Sequence, residues 1–442
     1  MNLLTGEGKK TMRLILLAIG SRGDVQPYIA LSLGLQRAGH KVRLAAPALF
    51  EDLIRQYDVE FQPLEVDTRQ LMESEKAKAL IISDRNPLGF LLIYKDFADK
   101  LLGAMHGEFW KVCQNSDGII YSPFGVIAHF VAQKLGIPRF ATALQPLGRT
   151  TEFPNIMLPG WLKLGGGFNY TSHLVAEQVL WQPIRRQVND GLVKQLNIKP
   201  VRLTGPFVEL YEERTPVLYG FSQLVAPPPH DWPVEHHVTG YWFLDAPPDW
   251  KPPQDLVNFL EAGPTPVYIG FGSMTHRSPE ESTELILEAL QLTDQRGVLL
   301  HGWGGMAKAK LPNSVMMVES IPHQWLFPRM AAVVHHGGAG TTASSLRSGV
   351  PSIIVPHFAD QPYWGERVAA LGVGPRPRAR ARLTAQKLAD SIDQALSDQT
   401  MRERAAKLGA ALRVEDGIKR STRYRTPLES ITELEKATFS KL

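Results

Sequence analysis

His335-His336-Gly337-Gly338-Ala339-Gly340-Thr341-Thr342 follows an apolar run, Met330 to Val334, and precedes a helix-forming stretch from Thr342 to Ser348. A buried strand that breaks into glycines and then turns helical presents unpaired backbone N–H groups at a positive helix end, which suits phosphate. Without side chains at Gly337, Gly338 and Gly340, an oxyanion can approach the backbone closely. His336 can donate to a phosphate oxygen, Gly338, Ala339 and Gly340 offer N–H groups, and Thr341 adds a hydroxyl. His335 should face the opposite side of its strand and serve the core. A glycine-rich turn packed for the fold alone is the plain alternative.

Two further clusters could do chemistry. Ser21-Arg22-Gly23-Asp24 follows a second apolar run, Leu14 to Ile19. Asp24 could accept a proton from a hydroxyl if partial burial raised it from an ordinary pKa of ~4. It could equally cap a helix starting near Pro27. Arg22 could reach an anion or remain solvated. Asp360-Gln361, after Pro356-His357-Phe358-Ala359, sets a carboxylate beside a carboxamide. Such a pair can grip vicinal hydroxyls, although Asp360 before Pro362 is also good helix-cap chemistry.

The elements that must position these groups alternate. Strands are expected at Leu14–Ile19, Lys41–Ala46, Phe61–Leu64, Gly118–Tyr121 and Arg139–Ala143, with helices at Tyr28–Ala38, Leu49–Tyr57 and Val126–Leu135. A long loop from Gln145 to Gly167 follows. Alternation resumes with strands Pro266–Gly270, Val298–His301, Val315–Val318, Ala332–His335 and Ser352–Val355. Helices are expected at Pro279–Leu292, Gln361–Leu371, Thr384–Leu396 and Met401–Leu412. This order implies parallel sheets with right-handed crossovers. The pattern gives an α/β chain of two doubly wound, Rossmann-like domains facing across a cleft. An N-terminal domain of residues 12–226, a Pro-rich linker of 227–236, a C-terminal domain of 237–412 and a helical tail of 413–442 are expected. Ligands of such sheets lie beyond the carboxyl ends of the strands, where both turns fall, so one site built from two halves is expected.

Composition narrows the class. The chain has 442 residues, too many for one ordinary core, and is 44% apolar and 21% charged. A net charge of +4 makes no case for nucleic acid as a partner. The single cysteine, Cys113, cannot form an internal disulfide, which fits a reducing cytoplasm. No Cys/His clusters occur at zinc spacing, so no metal is expected. The apolar stretch near the start reads as a first strand rather than a signal peptide, and no run approaches the ~20 residues of a membrane span. Arg376, Arg378, Arg380 and Arg382 alternate in a stretch that reads as a solvated edge strand or a contact for anionic lipid.

Several separated motifs resemble one family. Gly20-Ser21-Arg22-Gly23-Asp24-Val25-Gln26-Pro27-Tyr28, Val238-Thr239-Gly240-Tyr241-Trp242-Phe243, Ile269-Gly270-Phe271-Gly272-Ser273-Met274 and Ile321-Pro322-His323-Gln324-Trp325-Leu326-Phe327-Pro328 through Asp360-Gln361 look like the sterol glucosyltransferase branch of the UDP-glycosyltransferase superfamily. Bacterial enzymes that glycosylate antibiotics and lipids carry the same pattern. The resemblance runs from Arg13 to about Leu412 and implies the GT-B fold, with acceptor in the N-terminal domain and sugar nucleotide in the C-terminal one. It also implies inverting transfer of a hexose, glucose from UDP-glucose by preference, to a hydroxyl of a hydrophobic acceptor such as a sterol, without metal or other cofactor.

By that resemblance His336, Gly338 and Thr341 meet the diphosphate, Asp360 and Gln361 bind the hexose, and Ser273 meets diphosphate or ribose. The base lies near Ser320, Ile321 and His323. Ser21 and Arg22 border the diphosphate from the other domain. Asp24 stands in the slot of the superfamily's catalytic histidine in Gly-His-x-x-Pro. The aspartate that supports that histidine is matched here by Ser122. Ser320 stands where plant relatives stack a tryptophan on uracil, and Ser344 where they carry a ribose-binding glutamate; UDP against dTDP is thereby left open. Phe90-Leu91-Leu92-Ile93-Tyr94, Phe97, Phe124, Leu147-Gly148-Arg149, Phe153-Pro154 and Trp161 offer apolar surface for an acceptor, which leaves other lipids, terpenoids and polyketides open as well. Peripheral contact with a membrane is a further expectation.

Three rival readings stand on local residues. Gly338-Ala339-Gly340-Thr341-Thr342-Ala343 fits the dinucleotide fingerprint, with Asp360 about 20 residues on, as in NAD-dependent oxidoreductases. A sugar-nucleotide epimerase of the same fold is the second. A non-catalytic, glycosyltransferase-like accessory protein is the third.

Overall fold

The computed structural model describes residues 11–65, 107–158, 162, 164–247, 249–271, 279–301 and 311–423. These residues contain two parallel sheets. The front sheet consists of β1 (Arg13–Leu17), β2 (Lys41–Pro47), β3 (Glu60–Leu64), β4 (Gly118–Tyr121), β5 (Arg139–Ala143), β6 (Val217–Tyr219) and β7 (His236–Val238). Its order is β3-β2-β1-β4-β5-β6-β7. The rear sheet consists of β8 (Val267–Gly270), β9 (Gly297–Leu300), β10 (Val315–Val318), β11 (Val333–His335) and β12 (Ser352–Ile354), in the order β10-β9-β8-β11-β12.

Strand sequence follows burial on both faces. Ile15 and Leu17 of β1 point into one core, while Leu16 points into another on the opposite side of the sheet. Val267 and Ile269 of β8 are separated from Tyr268 in the same way. Such strands are apolar throughout because neither face meets water. In each sheet the chain runs outward on one side of the first strand and then resumes on the other. The strand order therefore reverses between β1 and β4 in front and between β8 and β11 behind. Ligands bind at such reversals. The Ser21–Asp24 turn leaves β1 and the His336–Thr341 turn leaves β11.

A fourth core joins the domains. Ala143, Tyr219, Phe221, Val225 and Tyr241 from the front pack with Leu346, Ile354, Trp364, Val368 and Leu412 from the rear. The helix Gly417–Ser421 then crosses back to the front domain. Ile418 fits over Gly34 so closely that a Cβ there would lie 2.1 Å from its Cγ2. Trp242 Nε1 donates to Ser421 Oγ at 2.8 Å.

Four expectations are corrected. β7 pairs with β6 in the front sheet, so the front domain extends past the Pro-rich 227–236 stretch to Val238. Those prolines lie in the loop that leads into an edge strand. The expected tail starting at 413 divides among the described residues: the helix Gln399–Val414 belongs to the rear domain and Gly417–Ser421 lies on the front, while 424–442 fall outside the described residues. The first helix begins at Arg22, several residues before the expected start, and carries Pro27 inside it. Finally, Arg376–Arg382 forms no strand. It ends in a 3₁₀ turn at Arg380–Arg382, and Arg380 turns inward to donate to Ser282 Oγ at 2.8 Å. The helices Gly166–Trp181, Arg185–Leu196, Pro206–Glu212 and Gln254–Glu261 are among those with no sequence-based expectation.

Candidate functional site

The front turn is built around one carboxylate. Ser21 is the N-cap of the helix Arg22–Arg37 and Asp24 is its N3 residue. Asp24 Oδ2 accepts the Ser21 N–H at 2.8 Å and the Ser21 hydroxyl at 2.9 Å. The capping alternative and a chemical role thus coexist on one side chain. The carboxylate folds back over Gly20, whose φ is +140° and where a Cβ would lie 2.4 Å from Oδ2. Only glycine permits that approach. Burial raises the Asp24 pKa above its ordinary value, against the two bonds from Ser21, which lower it.

Two features set this turn apart. Pro27 has no N–H, so the Gly23 carbonyl loses its helical partner and remains an acceptor at the cleft. Ser122, in the place of the relay aspartate, is buried and accepts the Ile19 N–H at 3.3 Å. It ties the ends of β1 and β4 together and supplies no charge.

The rear turn is the complement. Its helix, Ala339–Ser348, has Gly338 at the N-cap, no side-chain cap and no acid in the first turn. The N–H groups of Ala339, Gly340 and Thr341 belong to that uncapped first turn. Gly337 has φ +92°, and a Cβ there would lie 2.6 Å from Ile354 Cγ2. His336 folds over Gly338, where a Cβ would lie 2.5 Å from His336 Nε2. Burial pushes the His336 ring down to about 4, so it is neutral near pH 7 and carries one N–H. Its Nδ1 is buried without a hydrogen-bond partner.

His335 serves the core, as expected. Its Nδ1 accepts the Gly337 N–H at 3.1 Å, so the proton sits on Nε2, 2.9 Å from Ser352 Oγ. It braces the glycine loop from behind. Thr341 lies half-buried at the loop's end.

The two turns meet. A Cβ built on Gly340 would lie 3.7 Å from the Gly23 carbonyl oxygen, so the rear loop faces the front helix directly. Arg22 crosses the gap and its Nη1 donates to Ser320 Oγ at 3.1 Å. Beside them His323 stacks on Phe327 with ring centroids 4.3 Å apart. Burial, aided by nearby Arg22 and His336, lowers His323 to about 3. The Ile321 side chain is buried in the rear core, which leaves its backbone as the group able to meet a base. Ser273 lies outside the described residues, as do Phe90–Tyr94, Phe97 and Trp161.

Asp360 ends the rear loop after β12. Ala359 before it holds φ +56°, a left-handed conformation uncommon for alanine, which aims the Asp360 side chain. Asp360 Oδ2 accepts Trp364 Nε1 at 2.9 Å, and the Gln145 carboxamide donates to the same carboxylate from the front domain. Burial and the charge of Asp24 push Asp360 up to about 6 against these bonds. Asp24 and Asp360 therefore share one cleft. Gln361 is buried, and its Oε1 accepts the His357 N–H at 2.7 Å and the Phe358 N–H at 3.3 Å. That oxygen is committed to the loop, so the loop's shape rather than an open amide oxygen is its contribution here.

Gln145, Trp364 and Tyr363 were missed by sequence reasoning. Gln145 could have been found by its place just beyond the end of β5, the position that Ser21 holds relative to β1. Opposite the cleft, the loop after Gln145 is anchored by Asp231, which accepts from Thr150 Oγ1 and the Thr151 N–H, both at 2.6 Å. Phe124, Leu147 and Met157 leave large apolar side chains exposed there. Among the described residues no group of three or more His, Cys, Asp or Glu is arranged to hold a metal, and no helix is long and apolar enough to cross a membrane.

Comparison with known proteins agrees with the fold. The glycosyltransferase family 28 N-terminal domain model matches residues 14–154, and the erythromycin biosynthesis protein CIII-like C-terminal domain model matches residues 286–415. A sterol 3-beta-glucosyltransferase of Arabidopsis thaliana is 39% identical over 419 residues, covering 92% of this chain and 64% of that protein. One from Emericella nidulans is 36% identical over 423 residues, covering 92% of this chain. The chain spans 29% of the length of that fungal relative. Among solved structures, the kitacinnamycin glycotransferase shares the fold with a TM-score of 0.68 at 21% identity, covering 94% of this chain and 98% of that one. The calicheamicin glycosyltransferase CalG4 does so with 0.67 at 19%, covering 94% and 97%. VinC in complex with dTDP follows with 0.60 at 18%, covering 96% and 99%. The chain therefore has the GT-B glycosyltransferase fold, with a separate family model matching a stretch of each domain and likeness to sterol 3-beta-glucosyltransferases running through 92% of its length.

Proposed function

We propose that this chain is an inverting, metal-independent hexosyltransferase that moves glucose from UDP-glucose to the hydroxyl of a sterol-like acceptor. One observation carries the reading. An uncapped helix start at Gly338–Thr341 faces a partly buried carboxylate, Asp24, across a cleft that also holds Asp360. The rear helix neutralises the departing diphosphate with backbone N–H groups and the single N–H of His336. Asp360 holds the hexose hydroxyls. Asp24 takes the acceptor's proton as its oxygen bonds to the anomeric carbon. The bond from that carbon to the diphosphate breaks on the opposite face, and its electron pair leaves with UDP. A carboxylate raised by burial is a better base than an ordinary one.

The names of the aligned relatives support a sterol as acceptor, and Phe124, Leu147 and Met157 supply apolar surface beside the anchored loop. The single free cysteine, Cys113, supports a cytoplasmic setting, and an acceptor of that kind supports peripheral contact with a membrane. The rival dinucleotide reading fits less well, because Asp360 follows a loop well beyond β12 and meets the opposite domain through Gln145. Incubation with UDP-glucose and a panel of hydroxylated acceptors, with products read by mass spectrometry and the anomeric configuration by NMR, tests the proposal. A β-glucoside of a sterol supports it. Stabilisation by NAD and not by UDP would overturn it.

A further inference from the structure

We propose that Gln145 is a positioning residue for the donor sugar, acting from the front domain on the carboxylate of Asp360. The proposal deepens the reading above and rests on it. Gln145 lies just beyond β5, and its carbonyl accepts the Leu147 N–H at 2.9 Å, which fixes the turn that presents its side chain. A carboxylate can only accept, so the Gln145 amide gives an N–H to Asp360. The second donor, Trp364 Nε1 at 2.9 Å, comes from the next turn of the helix that Asp360 opens. One donor thus comes from each domain, and together they set the rotation of the carboxylate.

The rest of that helix is gripped along the same face. Phe153 meets Tyr363 with ring centroids 5.8 Å apart, Phe221 meets Trp364 at 6.2 Å, and Arg367 Nε donates to the Val225 carbonyl at 2.8 Å. Positions 360, 363, 364 and 367 follow helical spacing, so one stripe of a rear-domain helix rests on the front domain. Within that stripe Asp360 carries the carboxylate that lies near Asp24. Asp24 is the charged neighbour that disfavours ionised Asp360, and the Gln145 amide opposes it. The nucleotide contacts predicted above lie mainly on the rear domain. A front-domain amide that steers Asp360 would make hexose recognition, unlike nucleotide recognition, depend on the two domains being together.

Calorimetric titration of wild type, Gln145→Ala and Gln145→Glu with UDP and with UDP-glucose tests this. UDP affinity should stay within about twofold, while UDP-glucose affinity falls about tenfold in Gln145→Ala and further in Gln145→Glu, which adds a third carboxylate. The acid-side loss of UDP-glucose binding should also move to higher pH in Gln145→Ala, which a merely structural role would not produce. Unchanged UDP-glucose affinity, or equal weakening toward both ligands, would overturn the proposal. If wild type fails to distinguish UDP-glucose from UDP, the functional reading fails instead. The link is then judged by thermal melts of Gln145→Ala, Asp360→Ala and the double variant: non-additive shifts support it and additive shifts reject it.

Discussion

The turns after β1 and β11 share one geometry and carry opposite chemistry. Each leaves a buried parallel strand at a reversal of strand order and opens a helix. In front, Ser21 and Asp24 satisfy their own helix start, with an acid in the first turn. Behind, the N-cap is Gly338 and the first turn holds no acid. A helix that caps itself with a carboxylate has no need of an external anion and repels one. A helix left open invites one. On the proposed function, the division of labour between the domains is written at the N-cap and N3 positions, not in the sheets.

The sharpest way to break that contrast is Thr341→Asp, which places an acid at the rear N3 as in front. UDP affinity should fall by about a hundredfold or more, while thermal stability holds or rises, since an acid in a first turn is worth ~0.3–1 kcal/mol. Calorimetry beside thermal melts separates the two; a variant that binds UDP normally would end the idea that the rear helix start is the anion site. Asp24→Asn tests the front half. Turnover should drop by about 10²–10⁴-fold with UDP affinity nearly unchanged, at a cost of ~1 kcal/mol in capping. Near wild-type turnover would remove Asp24 from the base role.

Asp360 supplies a pH signature. With its carboxyl raised to about 6, ionised Asp360 is lost as pH falls through that value, so the KM for UDP-glucose should climb below pH 6 while UDP binding stays level. Stability runs the other way. An acid raised in the fold contributes stability that is fully present below its ordinary pKa of 3.8 and lost as pH rises through about 6. Asp360→Asn should therefore raise the melting temperature at pH 7.5 more than at pH 4, and the reverse order would contradict the assignment. The smallest effect is expected for Ser352→Ala. It strands the buried Nε2–H of His335 and should cost about 1–3 kcal/mol, read by denaturant unfolding, with only a mild loss of UDP affinity.

Much of this was legible from residue order. Strands buried on both faces are continuous apolar runs, and glycines at 337 and 338 mark a backbone that no side chain could follow. That was enough to place β1, β11 and the loops behind them, and to assign His335 to the core. The alternation of strand and helix gave the doubly wound domains. What escaped depends on contacts distant in sequence. Gln145 is unremarkable until the fold sets it against Asp360. The helix Gly166–Trp181 buries Asn169, Ser172 and His173 while Tyr170 and Val175 stay exposed, so it offered no amphipathic stripe to read. The prolines of 227–236 signal irregular backbone truthfully, but irregular backbone does not say on which side of the boundary it belongs; β7 settles that by pairing with β6. In Arg376–Arg382, alternation looked like a strand, whereas inward use of Arg380 makes it a turn.

The helix Gly417–Ser421 changes how the two lobes can move. Gly417 is pressed against Gly240 and Tyr241, with a built Cβ only 2.5 Å from the Gly240 carbonyl carbon and the Tyr241 oxygen. The outgoing and returning segments of the chain therefore pass through the same spot. Two tethers at separate places would have fixed an axis; two at one place make a pivot. Swinging about it widens the gap most at the rim farthest from residue 417 and least beside it. Cutting the chain after Val414 would leave one tether and a looser joint.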